Sequence, residues 1–201
     1  MSARLRPALA AALVLTVAVT GLASAATKKP AAKPVCNLVT DPKGDGSFIA
    51  TPNSKALDVV SADIATGAKT VTAVIRVDGM GSDPQTTLGV EYKINFTVGG
   101  MSQFLRYQNS TGLGETYDYG DQSGTNAGSV SKGTADGAID AAKGTITITA
   151  PKSEFAGLKG GTATAIVARS YLSLGALFET ADTATGTAPY KDLTPSCVPV
   201  K

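Results

Sequence analysis

Alternating apolar and polar residues dominate this sequence, and they restrict the chain to folds built from half-buried β-strands. In Leu88–Val98 (LGVEYKINFTV) every second residue is apolar, and Gly, Glu, Lys, Asn and Thr lie between them. Successive side chains of a strand point to opposite faces, so the pattern predicts one face on a core and the other, with Glu91, in water. Gly99-Gly100 then suits a tight hairpin, and Met101–Gln108 is the predicted partner strand.

Further segments rich in Thr, Val and Ile predict more strands: Leu57–Ala65, Thr70–Asp78, Thr145–Ala150 and Thr162–Ser170. Helical periodicity is nearly absent, and the one candidate is a short turn at Pro151–Leu158, where proline suits a first turn. Gly120–Gly137 (GDQSGTNAGSVSKGTADG) is of low complexity and predicts a long exposed loop. Strands separated by Gly, Asp and Ser clusters, without alternating helices, predict an all-β fold. We expect a single antiparallel β-sandwich of jelly-roll or immunoglobulin-like type.

Residues 1–25 match a secretory signal peptide. Arg4 and Arg6 form its positive start, Ala8–Leu22 its apolar run, and Ala23-Ser24-Ala25 a small-residue cleavage site. The apolar run is short for a membrane span, and no second run follows it. The sequence therefore predicts a secreted, extracellular protein without a membrane span after cleavage.

Residues 26–35 (ATKKPAAKPV) form a predicted Lys/Pro/Ala linker, and 36–201 the sandwich domain. Five of the 18 lysines and arginines precede residue 36, whereas all 16 acidic residues follow it, so the domain has a net charge near −3. Nucleic acids and anionic membrane surfaces need a basic face, so neither is an expected partner. An acidic domain is compatible with a bound cation.

Two cysteines, Cys36 and Cys197, stand at the two ends of the predicted domain. In an exported protein such a pair is most simply a disulfide. Closing a loop of 161 residues would restrict the unfolded chain by about 5 kcal/mol in the entropy model. A thiol nucleophile or metal site would need a histidine or another nearby thiol, and the chain has neither.

The absence of histidine excludes several classes of site. Ser-His-Asp and Cys-His catalysis, histidine-ligated zinc and histidine-ligated haem all need that side chain. No nucleophile elbow or nucleotide-binding loop occurs, so we predict no catalytic residue, no haem and no nucleotide. Paired carboxylates remain an alternative, because a glycosidase-like hydrolase needs only an acid and a base. The glutamates available for it are Glu91, Glu115, Glu154 and Glu179.

Aromatic rings that face solvent are common platforms for sugars. Tyr92, Phe96 and Phe104 have the spacing or context of core residues. Four other tyrosines are expected to be exposed and are the predicted ligand-binding residues: Tyr107, Tyr117, Tyr119 and Tyr171. Structural tyrosines are the alternative, and the lack of tryptophan favours it.

Thr40–Gly46 (TDPKGDG) concentrates two carboxylates in a turn-forming stretch. If the stretch is aligned with an EF-hand loop, Asp41 and Asp45 fill the first and fifth positions. The third is then Lys43 and the twelfth Pro52, where oxygen ligands are required. The stretch is therefore not an EF-hand.

A looser calcium site is one interpretation, because calcium takes six to eight oxygens and sandwiches supply them from separate loops. The candidate metal ligands are the aspartates of this stretch and of segments distant in sequence: Asp41, Asp45, Asp58, Asp63 and Asp182. The other interpretation is a plain Asp-Pro-x-Gly turn, in which proline presets φ and glycine takes the unusual dihedral. Both fit the sequence.

The order of the motifs CNLVTDPKGDG, LDVVSADIATGAKTVTAVIRVDGM, EYKINFTVGG, GTITITAPKSEF and YLSLGALFETADTATGTAPYKDLTPSC resembles a known group of domains. These are small secreted actinobacterial β-sandwich domains, standalone or appended to subtilisin-like peptidases. Their architecture is similar to DOMON-type and family-nine carbohydrate-binding modules. The resemblance implies a non-enzymatic sandwich, sometimes calcium-stabilised, and points to Asp41, Asp45, Leu57–Asp63 and Asp182.

The chain departs from these relatives in two ways. It lacks the tryptophans that hold sugar in the carbohydrate-binding modules and the histidine of haem-binding DOMON domains. We expect a secreted non-catalytic binding or accessory module whose partner is a cell-envelope or extracellular polysaccharide. The alternatives are a small carboxylate-dependent hydrolase of envelope polysaccharide and a purely structural protein held on cell-wall polymer.

Overall fold

A computed structural model describes residues 38–48, 52–80, 89–123, 128–155, 157–158, 162–173, 178–186 and 190–191. The predicted signal peptide, the linker and the Cys36–Cys197 disulfide lie outside these residues. In the part that is described, no helix is long and apolar enough to cross a membrane.

These residues form twelve β-strands and a short 3₁₀ helix, Lys152–Glu154, which lies between β9 and β10. The strands are β1 Val39–Thr40, β2 Val59–Thr66, β3 Thr70–Val77, β4 Gly89–Val98, β5 Met101–Ser110, β6 Gly114–Ser123, β7 Gly128–Thr134, β8 Asp136–Asp140, β9 Thr145–Pro151, β10 Thr162–Ser173, β11 Phe178–Thr185 and β12 Tyr190–Lys191.

The strands pair into two antiparallel sheets that share one hydrophobic core. Over the described residues, one sheet has five strands in the order β1-β2-β3-β9-β8. The other has seven, in the order β11-β10-β4-β5-β6-β7, with β12 paired to the start of β10. The predicted all-β antiparallel β-sandwich is therefore confirmed.

The core consists of the apolar faces that the alternation predicted. Tyr92 and Phe96 are buried in this core, as expected, whereas Phe104 is buried on the opposite face of its sheet, against Lys93 and Arg106. The other large side chains that are fully buried come from both sheets: Ile64, Ile75, Ile94, Leu105, Ile146, Ile148 and Ile166. Burying an aliphatic side chain of this size stabilises a fold by roughly 1.5–3 kcal/mol, so these residues hold the two sheets together.

The predicted long loop at Gly120–Gly137 is wrong for the residues that are described. β6 extends to Ser123, and β7 and β8 occupy most of the rest. A strand at a sheet edge needs only backbone hydrogen bonds, so β7 forms although its side chains are largely exposed. Between β7 and β8 the chain changes sheets at Ala135, whose N–H donates to the carbonyl of Tyr117 at 2.9 Å.

The predicted solvent face of β4 is also wrong. Glu91, Lys93 and Asn95 alternate with core residues as expected, yet each is at most 8% exposed. Both faces of β4 are therefore buried, and the charged face needs its own partners. The predicted helical turn after Pro151 is limited to the 3₁₀ helix in the described residues.

Candidate functional site

The loop that follows β1 (Asp41–Ser47) is fixed at both of its ends. The N–H of Asp41 donates to the carbonyl of Val60 on β2, and the N–H of Ser47 donates to that of Ala181 on β11, each at 3.1 Å. Gly44 has φ +94°, the dihedral predicted for the glycine of an Asp-Pro-x-Gly turn. The loop therefore connects β2 of the five-stranded sheet with β11, an edge strand of the seven-stranded sheet.

A second segment, Ala56–Val59, passes directly behind this loop and is held by the seven-stranded sheet. Tyr92, Ser170 and Asp182 are register neighbours on β4, β10 and β11. The hydroxyls of Tyr92 and Ser170 donate to the carbonyls of residues 56 and 57, and the Asp182 carboxylate accepts from the N–H of Val59 at 2.7 Å. Three neighbouring side chains thus position the entrance to β2.

A β-bulge in β11 sets the position of Asp182. Ser170 pairs with Asp182 and Tyr171 with Thr180, so Ala181 is an extra residue on this strand. Ala181 and Asp182 are consequently both buried, which a regular strand would not allow. The bulge turns a carboxylate inward at the edge of the sandwich.

Three carboxylates converge between the loop and β11. Asp41, Asp45 and Asp182 each offer one oxygen, and these oxygens all lie within 4.8 Å of one another. Asp45 is exposed, so the cluster opens to solvent on that side. The structure therefore brings together three of the five predicted metal ligands.

Asp58 lies beside this group and is only 1% exposed. Its Oδ2 accepts the N–H of Gly44 at 2.6 Å, whereas its Oδ1 is buried and has no hydrogen-bond partner among the described residues. Gly46 packs so closely on Asp58 that an added Cβ would lie 2.5 Å from the Asp58 Cα. A buried carboxylate oxygen without a donor is costly unless a proton or a cation is bound close to it.

The electrostatics of the cluster match this geometry. Burial, followed by the charges of Asp182 and Asp45, raises the pKa of Asp41 to about 6. Burial raises the pKa of Asp58 and of Asp182, although backbone N–H groups partly oppose it at both carboxylates. The acids therefore repel one another, and a proton or a cation relieves that repulsion.

Asp63, the remaining predicted ligand, lies elsewhere. Its Oδ1 accepts the N–H of Leu38 at 3.1 Å, and its Oδ2 is 2.7 Å from the guanidinium of Arg76. These contacts give Asp63 a structural role on β2. Lys43, in the middle of the loop, forms an ion pair with Asp78.

The buried charged face of β4 forms a compact network of its own. Arg106 binds Asp118 through two hydrogen bonds of 2.8 and 2.5 Å and reaches Glu91 at 3.3 Å. Lys93 lies 3.2 Å from Glu91 and donates to Ser129 at 3.1 Å. Burial lowers the pKa of Lys93, and the charge of Glu91 opposes that shift. Two cations and two anions neutralise one another, so Glu91 is a structural carboxylate.

The tyrosines predicted to bind ligand are mostly buried, so their expected exposure is wrong. Tyr107, Tyr119 and Tyr171 are each at most 7% exposed, and only Tyr117 is half-buried. Tyr107 lies 6.1 Å from Tyr92 and 5.0 Å from Tyr117, between ring centroids. Tyr107, Tyr117 and Tyr119 pack with the core, while Tyr171 lies over the Lys93 ammonium at 4.8 Å. These rings stabilise the fold.

The sequence does not indicate the roles of Tyr92 and Ser170, because these roles depend on strand register, which leaves no local pattern. Comparison of the chain with protein-family models, curated protein sequences and solved structures finds no match.

Proposed function

We propose that this protein acts outside the cell as a non-catalytic β-sandwich module whose acidic edge binds a divalent cation and whose ligand is an extracellular or cell-envelope polysaccharide. The observation that supports the cation most directly is the buried Oδ1 of Asp58, which has no donor among the described residues and lies beside three converging carboxylates. A cation there would satisfy charges that the described residues leave unbalanced.

The donor set favours calcium. The candidate ligands are all carboxylate oxygens, and the chain has no histidine, so softer metals lack their usual ligands. Asp41, Asp45 and Asp182 would hold the ion, with Asp58 adding charge from behind the loop. Asp41 follows a strand of the five-stranded sheet, and Asp182 belongs to the seven-stranded sheet, so the ion would stabilise the contact between them.

The same acids also suggest a second candidate, a carboxylate-dependent hydrolase, because a carboxyl with a raised pKa suits a general acid. Two observations favour the cation over this alternative. Four acids gather here, more than a catalytic pair needs, and both oxygens of Asp182 accept backbone N–H bonds. Cavities of about 600 and 190 Å³ are lined by other residues of the domain.

A thermal melt with and without calcium tests the cation. At a calcium concentration about 100 times the dissociation constant, stability should rise by about 2.7 kcal/mol, or about 5–10 °C for a domain of this size. Asp41→Asn should remove the response, and the control Asp140→Asn, at the last residue of β8, should keep it. An unchanged midpoint in calcium and in EDTA would contradict the proposal.

A binding assay on insoluble polysaccharides tests the ligand. Calcium-saturated protein should be retained on at least one of cellulose, chitin or purified bacterial cell wall, with no release of soluble sugar. Passage through all of them would contradict the polysaccharide assignment. Release of reducing sugar that stops in Asp41→Asn would replace it with the hydrolase.

A further inference from the structure

The end of the sandwich opposite the acidic cluster contains a cavity of about 600 Å³. It is bordered by the β2–β3 turn, which contains Lys69, and by the 3₁₀ helix, which contains Lys152 and Ser153. Phe155 and Leu158 supply apolar wall. Its size is within the range of about 300–1,000 Å³ that small-ligand sites occupy.

A second depression of about 190 Å³ adjoins the first at Lys69, which lines both. It lies on β9 and on the passage between β7 and β8, and its polar side chains include Thr134, Asp136 and Thr149. Hydroxyls and a carboxylate on this side are partners for hydroxyl groups of a ligand. The two depressions share Lys69, and this pair of depressions, the groove, has a cationic part and a part with hydroxyl-binding side chains.

The two lysines of the groove are in different states. Lys152 donates from its backbone to the carbonyl of Lys69 at 2.8 Å and from its ammonium to that of Gly67 at 3.2 Å, so its head is fixed beside the hairpin turn. The ammonium of Lys69 has no hydrogen bond or ion pair to any residue that the structure describes. Two lysine ammonium groups therefore border the same cavity in an acidic domain. That of Lys152 is held by a hydrogen bond, and that of Lys69 has none to the described residues.

We propose that this groove binds an acidic sugar segment, with a uronate carboxylate at Lys69 and Lys152 and neighbouring sugar hydroxyls at Thr134, Asp136 and Thr149. The apolar wall suits the C–H face of a pyranose ring. Asp136 would repel a second anion in its own depression, so charge belongs at the lysine end. This inference rests on the proposed polysaccharide ligand and specifies its chemistry and position.

Titration of calcium-saturated protein with a galacturonic acid tetramer tests the inference. The double variant Lys69→Met, Lys152→Met should bind about tenfold more weakly or worse, because the ligand carboxylate loses a charge-assisted hydrogen bond from each lysine. Lys143→Met, which removes an exposed lysine from another turn, should bind like the wild type. The methyl-esterified tetramer should bind weakly, and added salt should weaken the acid form.

Equal affinity of the double lysine variant and the wild type would overturn the inference, as would equal affinity for acid and ester. Stronger binding of a phosphorylated sugar of matched length would also overturn it. Retention on a neutral polysaccharide without tetramer binding would leave the proposed function standing and refute only this groove. Melting of the lysine variants at the wild-type temperature excludes misfolding as the cause.

Discussion

The carboxylate of Asp182, on the edge strand of the seven-stranded sheet, accepts a 2.7 Å hydrogen bond from the N–H of Val59, the first residue of β2 in the other sheet. This bond joins residues 123 positions apart in the sequence. The other carboxylate oxygen of Asp182 accepts the N–H of Thr183 at 2.6 Å. Asp182 therefore contributes a charge to the cluster and also connects the two sheets through a hydrogen bond.

The two roles of Asp182 are separable by substitution. Asp182→Ala leaves the buried N–H of Val59 without its acceptor, and we expect a loss of about 1–3 kcal/mol in the free energy of unfolding even in EDTA. Asp182→Asn keeps one acceptor oxygen and should unfold within about 1 kcal/mol of the wild type in EDTA. Both should lose the stabilisation by calcium. Urea denaturation measures the difference, and equal losses in EDTA for the two variants would contradict this division.

The raised pKa of Asp41 predicts an effect of pH on the metal-free protein. Its folded pKa of about 6 exceeds the unfolded value of about 3.9, so its contribution to stability is complete below about pH 4. That contribution is lost as the pH rises through about 6. Asp41→Asn removes the ionisation and should stabilise the metal-free protein at pH 7.5 by about 1–2 kcal/mol, with little effect at pH 4.

The pH dependence of the wild type must be compared with that of Asp41→Asn, because other carboxylates change the stability in the opposite direction as the pH rises. Hydrogen bonds from lysines lower the pKa of Asp78 and of Asp140, and these groups are present in both proteins. The measurement is urea denaturation in EDTA at the two pH values. A variant less stable than the wild type at pH 7.5 would show that Asp41 is not repelled by its neighbours.

Gly46 is required by the close approach of the loop to Asp58. An added methyl would lie 2.5 Å from the Asp58 Cα, so Gly46→Ala must displace one of the two segments. We expect a loss of about 1–3 kcal/mol in unfolding free energy and a weaker response to calcium. Ser47→Ala, at an exposed neighbour, is the control. If Gly46→Ala melts like the wild type with and without calcium, Gly46 does not pack tightly against Asp58.

The charged face of β4 predicts strong coupling between Glu91 and Lys93. Glu91→Gln leaves a buried ammonium without its partner and should cost about 3–5 kcal/mol. Adding Lys93→Met should recover most of that loss, since methionine fills a similar volume without charge. A double-mutant cycle by urea denaturation measures the coupling. Additive effects of the two substitutions would mean that the pair is not buried as a unit.

The sequence predicted the fold class because alternation is a local property. Val90, Tyr92, Ile94 and Phe96 face the core through the period of the strand alone. The sequence did not predict strand β7, because its Gly and Ser residues bury little apolar surface and show no alternation. The backbone hydrogen bonds that form this strand cannot be recognised from amino-acid composition.

The site was less accessible to prediction because it depends on register. Asp182 is one of the candidate ligands, but the proximity of its carboxylate to that of Asp41 depends on a β-bulge at Ala181. No residue pattern in the sequence indicates this bulge. Asp63 had equal standing in the sequence and lies apart, paired with Arg76. The exposure predicted for the tyrosines is wrong for two reasons. Tyr107, Tyr117 and Tyr119 face the shared core, and Tyr171 lies on the second face of its strand, which is covered at Lys93.

Calorimetric titration of EDTA-treated, desalted protein with calcium measures directly whether the acidic cluster binds the ion. We expect one site per chain, with binding abolished by Asp41→Asn or Asp182→Asn and unchanged by Asp140→Asn. Magnesium should bind more weakly, because it demands a more regular shell of oxygens. Absence of calcium binding to the wild type, or equal binding by Asp41→Asn, would show that these carboxylates do not form a calcium site.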